Sequence, residues 1–91
     1  MERKRLATTI REWVDVRLDR RSDIIAWGAA GVTEQMETAD LFMAHAESIM
    51  EIPRTAEESD ERDAWQEALR AVCDELGQRV DAARFDGRKV A

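Results

Sequence analysis

A single cysteine, Cys73, excludes an intramolecular disulfide, and with no second cysteine no thiolate cluster can hold a structural zinc. Proline occurs once, at Pro53. Tyrosine is absent and phenylalanine occurs only twice, so β-forming material is scarce against a background of Ala, Glu, Asp and Arg. No apolar run approaches the roughly 18 residues of a membrane span. The basic start, Met1-Glu2-Arg3-Lys4-Arg5, leads into an amphipathic stretch instead of the apolar core of a secretion signal. These absences point to an all-α protein in the cytoplasm, free of membrane contact and held together by packing alone.

What is present fits one domain over residues 1–91: 44% hydrophobic content supports one core, and the chain is too short for two. Leu6, Ile10, Trp13, Val14 and Leu18 recur at three- and four-residue steps and predict a helix from about Glu2 to Arg20. Ser22-Asp23 then caps a short apolar helix, Ile24-Ile25-Ala26-Trp27, and Gly28-Ala29-Ala30-Gly31 reads as a flexible interhelix turn. Thr33 is the expected N-cap of a second main helix that stops before Pro53. On that helix Met36, Ala39, Phe42, Met43, Ala46, Ile49 and Met50 share a broad face that reads as core, beside an edge of Glu37, Asp40, Glu47 and Glu51.

Thr55-Ala56-Glu57-Glu58 has the order of a capping box and is expected to start a third helix. Its apolar stripe is Trp65, Leu69, Val72, Cys73, Leu76, Val80 and Ala83, close to a heptad seam. Ala64, Ala68, Ala71 and Ala82 form a small-residue facet suited to a close helix contact, and Gly87 is the expected C-cap. The architecture implied is a three-helix bundle or helical hairpin, completed by homodimerisation because three apolar faces leave surface that one protomer does not cover.

Charge is strongly segregated. Residues 1–31 hold seven Lys or Arg against five Asp or Glu, residues 32–63 two against ten, and residues 64–91 five against five. The acidic middle repels a polyanion, and the basic residues of the first segment scatter around their helix, so direct nucleic-acid binding is not expected. Some of those arginines are expected to pair with the acidic edge, within the bundle or across an oligomer interface.

Candidate chemistry is thin. His45 is the sole histidine, and Asp40, Glu47 and Glu51 point away from it around the helix, which leaves it a surface residue. Cys73 has no histidine to activate it and reads as a buried packing residue. Glu34-x-x-Glu37 on one helix followed by Glu57-x-x-Asp60 on the next resembles the all-α nucleotide pyrophosphohydrolases, in which such pairs hold magnesium and a triphosphate. That resemblance covers four positions and implies an Mg²⁺-dependent hydrolase as the enzymatic alternative.

Of the three tryptophans, Trp13 and Trp65 read as core members, while Trp27, next to glycine and off the apolar face, reads as an interface residue. Met36, Met43 and Met50 recur every seven residues, as core or as an adaptable groove for a partner helix. The function expected is that of a small acidic adaptor or inhibitor that docks on a protein with a basic surface, without catalysis, cofactor or metal. Glu37, Asp40, Glu47 and Glu51 steer the encounter and Trp27 anchors it. This size and charge suit a blocker of a nucleic-acid-binding machine, such as the inhibitors phages direct at bacterial defence complexes. A purely structural helical oligomer is the third class.

Overall fold

The computed structural model describes residues 8–19 and 28–90, with side chains through residue 84. Among the described residues every regular element is helical: α1 (Ile10–Leu18), α2 (Ala29–Thr33), α3 (Thr38–Glu51), a 3₁₀ turn (Ile52–Arg54) and α4 (Asp60–Val90). The short helix expected at residues 24–27 lies outside them. No helix among the described residues is long and apolar enough to cross a membrane.

The organising element is α4. Its 31 residues span about 46 Å at 1.5 Å per residue, and α1, α2 and α3 all pack against it. Ala64, Trp65, Ala68 and Val72 give α4 its buried side, with Ala71 and Leu76 at the margin. Ala64 and Ala68 of the alanine facet thus share the contact surface with Trp65 and Val72 of the expected stripe, while Ala82 is exposed. Trp65 and Val72 are buried, but Cys73, Val80 and Ala83 are exposed. A seven-residue repeat drifts by about 20° per heptad on a straight helix, about 40° over the two heptads from Trp65 towards Val80, which moves the stripe off the centre of the contact surface.

Ile10, Trp13 and Val14 of α1 meet this surface, and Thr9 caps α1 by accepting a hydrogen bond from the Glu12 amide at 3.1 Å. The Gly28–Gly31 stretch is not an open turn. Gly28 occupies the cap position of α2, whose Ala29, Val32 and Thr33 are buried. Thr33 consequently ends a helix instead of starting one, and its hydroxyl donates to the Ala30 carbonyl at 3.1 Å. The second main helix begins later, at Thr38, with Glu37 in the cap position and no side-chain cap.

The third helix also starts one turn later than the Thr55 capping box implies. Thr55 is buried, and its hydroxyl donates to the Ile52 carbonyl at 2.6 Å. Glu58 adopts a left-handed φ of 57°, which breaks any helix there, and Ser59 takes over as cap by accepting from the Arg62 amide at 3.1 Å. At the other end α4 runs through Gly87 to Val90, and no described glycine has a positive φ. Glycine lowers helix stability but terminates a helix only when it turns left-handed, which Gly87 does not.

Two arginines of α4 fasten the segments around α3. Arg62 donates from Nε to Thr55 Oγ1 at 3.0 Å and from its second terminal nitrogen to the carbonyls of Ile52 at 3.1 Å and Thr55 at 2.8 Å. Arg79 donates to Thr38 Oγ1 at 2.9 Å and to the carbonyls of Thr33 and Glu34, each at 3.3 Å. Carbonyls left over at helix ends are thus satisfied by guanidinium groups. No buried side-chain polar atom among the described residues lacks a partner.

Candidate docking surface

On α3 the buried side is Leu41, Ala44 and Ser48, and Ser48 satisfies its hydroxyl locally by donating to the Ala44 carbonyl at 2.8 Å. The broad apolar face expected to be core points away from the bundle. Phe42 is 60% exposed, Met43 70%, Ile49 50% and Met50 57%, and Ala39 and Ala46 are exposed beside them. Only Met36, just before the helix, is buried. Two of the three inward residues, Ala44 and Ser48, are small, which suits a close approach of α3 to α4 beside the buried Leu41.

One edge of the exposed face becomes the wall of an open groove of about 550 Å³ between α3 and the start of α1. Met36, Met43 and Met50 all line it, with Ile10 and Thr8 on the α1 side and Asp40, Glu47 and Glu51 along the rim. The seven-residue methionine spacing therefore divides: Met36 belongs to the core, and Met43 and Met50 are exposed along the groove. Met43 and Met50 are unbranched, polarisable and largely exposed, which suits an adaptable apolar lining.

The rim charges differ in their engagement. Arg11 donates from Nε to Glu47 at 3.0 Å, approaches Glu51 at 3.6 Å and lies over the Trp65 ring at 5.4 Å. The hydrogen bond and charge of Glu47 chiefly hold its guanidinium above the usual arginine pKa, with Glu51 and Asp15 adding and partial burial opposing. Arg54 also approaches Glu51, at 3.6 Å. Pairing between the first segment's arginines and the acidic edge is thus realised within one protomer. Glu37 and Asp40 are exposed near the start of α3, and Asp40 lines the groove. Trp27 lies outside the described residues.

The four carboxylates that resemble a pyrophosphohydrolase set are not brought together. Glu34 and Glu37 sit beside the Arg79 clamp at the start of α3, whereas Glu57 and Asp60 sit beside the Arg62 clamp after its end. α3 has 14 residues, which separates the two pairs by about 20 Å. Among the described residues no three His, Cys, Asp or Glu side chains assemble into a metal-holding group, around His45 or elsewhere. Cys73, expected to be buried, is exposed because it follows Val72 around α4 by 100° and leaves the core.

Comparison with known protein families, curated proteins and solved structures finds no match.

Sequence reasoning missed the α1 wall of the groove and both arginine clamps. The Arg79 clamp has no local signature, because Arg79 and the carbonyls it holds are more than 40 positions apart. The inverted face of α3 did leave a trace: Leu41, Ala44 and Ser48 share one side, and two of the three are small enough for close helix contact.

Proposed function

We propose that this protein is a small acidic adaptor or inhibitor that works by docking on another protein. The observation that supports the reading is the methionine groove: Met36, Met43 and Met50 line an open apolar cleft with the exposed carboxylate of Asp40 on its rim. A cleft of this kind takes apolar side chains of a partner helix, and an acidic rim favours a partner that also carries lysine or arginine. Proteins that handle nucleic acid present such basic surfaces, so a regulator or blocker of one of them suits the net charge of −6.

On this reading the acidic edge divides its labour. Glu37 and Asp40 are the steering charges, while Glu47 and Glu51 position Arg11 over Trp65 and close one side of the groove. Wild-type protein and the Asp40→Lys, Met43→Glu double variant, used as paired baits at low and moderate salt, test the reading. It predicts a stoichiometric partner held by the wild type, weakened by salt and lost with the variant. A partner retained equally by both baits removes the groove from the interaction.

A further inference from the structure

We infer that the exposed face of α3 is covered by a second copy of this chain, the two α3 helices packing antiparallel. The inference rests on reading α3 as a docking surface and names the first occupant of its outer face; Met43 and Met50 lie where that face meets the groove, so a second copy and a groove partner compete for them.

Along α3, Ala39, Phe42, Ala46 and Ile49 follow the three-four spacing of a coiled-coil seam, with Met43 and Met50 on one flank and Thr38, His45 and Ile52 on the other. None of these nine positions carries a carboxylate, lysine or arginine, in a chain that is 37% charged. The carboxylates of this helix, Asp40, Glu47 and Glu51, all fall on the side turned toward α1. Two copies of an acidic protein can therefore meet here without setting like charges against one another.

The seam alternates small and large, and that alternation selects the orientation. In an antiparallel pair each layer joins unlike positions, so Phe42 meets Ala46 of the second copy and Ile49 meets its Ala39. Every layer then has one bulky and one small member, which close packing favours. A parallel pair would stack Phe42 on Phe42 and Ala46 on Ala46, alternately too wide and too narrow. The surface involved is that of a weak, reversible pair. At roughly 180 Å² for a large side chain, the exposed fractions of Phe42, Met43, Ile49 and Met50 amount to about 400 Å² per copy. Two copies bring at most about 800 Å² from these four residues, short of the ~1,000 Å² of a specific stable interface, so the pair is expected to be weak.

Sedimentation equilibrium on the full chain from about 1 to 300 µM, for wild type and Ile49→Glu, tests the inference. Wild type is expected to be a reversible dimer and Ile49→Glu to associate at least about 100-fold more weakly, since both copies would bury a carboxylate. Helical circular dichroism should be unchanged, because Ile49 is half exposed in the protomer. Orientation is read from cross-linking in a Cys73→Ser background. A disulfide between a Phe42→Cys copy and an Ala46→Cys copy, formed in preference to either homologous disulfide, is expected for the antiparallel pair. A wild-type monomer throughout the range, a dimer indifferent to Ile49→Glu, or preferential homologous disulfides would overturn the inference. A monomer that still lost its captured partner on Asp40→Lys, Met43→Glu would leave the adaptor reading standing and remove only this one.

Discussion

Arg62 and Arg79 project from the same helix and grip the chain at opposite ends of α3. Arg62 holds the carbonyls of Ile52 and Thr55, where α3 gives way to the turn before α4. Arg79 holds the carbonyls of Thr33 and Glu34, where α2 ends, and the hydroxyl of Thr38, where α3 begins. The two clamps fix α3 in an antiparallel register on α4 even though its inward side is narrow and includes a serine.

Removing a clamp should cost more than an ordinary surface charge. Arg79 is only 27% exposed and its guanidinium serves backbone acceptors at a helix end. Arg79→Ala is expected to lower stability by about 2 kcal/mol, in the range for hydrogen bonds to charged groups. Arg79→Lys should recover less than half of that, because an ammonium cannot span the separate acceptors that a planar fork reaches. Urea unfolding of the three proteins checks both statements, and a loss below about 0.5 kcal/mol for Arg79→Ala would show the clamp to be incidental.

The turn before α4 separates two readings of the same segment. If Thr55 opened a capping box, Glu58 would be helical and Ser59 replaceable. In the structure Ser59 is the cap and Glu58 has a left-handed φ of 57°. Ser59→Ala is therefore expected to destabilise by about 1 kcal/mol. Glu58→Gly should stabilise by about 1 kcal/mol, the strain of a side chain in that conformation being relieved. Thermal unfolding that showed Glu58→Gly to be the damaging change would restore the capping box.

The helix type, the membership of Ile10, Trp13, Val14, Trp65 and Val72 in the core, and the pairing of an N-terminal arginine with the acidic edge were all legible from spacing and charge. The direction of α3 was not. Periodicity finds the most apolar face of a helix and assigns it to the core, but burial on α3 follows fit to the alanine facet of α4, and Ala44 and Ser48 fit where Phe42 and Met43 cannot. The cap positions failed for a related reason. Thr33 and Thr55 have the right side chains for caps, yet each is buried with its hydroxyl turned back to a carbonyl of its own turn. The groove was half legible: the spacing of Met36, Met43 and Met50 was visible, while its α1 wall depended on how two distant segments meet.

Gly77 offers a gain in stability without loss of contact. It lies in the interior of α4, and a β-carbon added there meets nothing within 4 Å. Glycine in a helix interior is less favourable than alanine by about 1 kcal/mol, so Gly77→Ala should raise stability by roughly that amount. Denaturant midpoints at unchanged slope check it. A loss of stability would mean that another chain approaches α4 at Gly77, which would itself locate a contact.

Arg11 provides the sharpest separation of stability from function. It is half exposed, so its ion pairs with Glu47 and Glu51 are screened and its removal should cost less than about 1 kcal/mol. Arg11→Gln keeps a stem over Trp65 but releases Glu47 and leaves Glu51 only its contact with Arg54, making the groove rim more negative by one charge. On the proposed reading an amphipathic helical peptide of leucine and lysine should then bind several-fold more tightly than to wild type at low salt. The difference should vanish near 0.5 M salt, where the screening length falls to about 4 Å. Titration calorimetry of wild type, Arg11→Gln and Arg11→Gln, Asp40→Asn with that peptide measures it. The last variant should return the affinity toward wild type, because it removes one rim charge for the one that Arg11→Gln uncovered. Affinities that ignored both substitutions would show that the rim does not steer binding and that the groove, if it binds at all, works through its methionines alone.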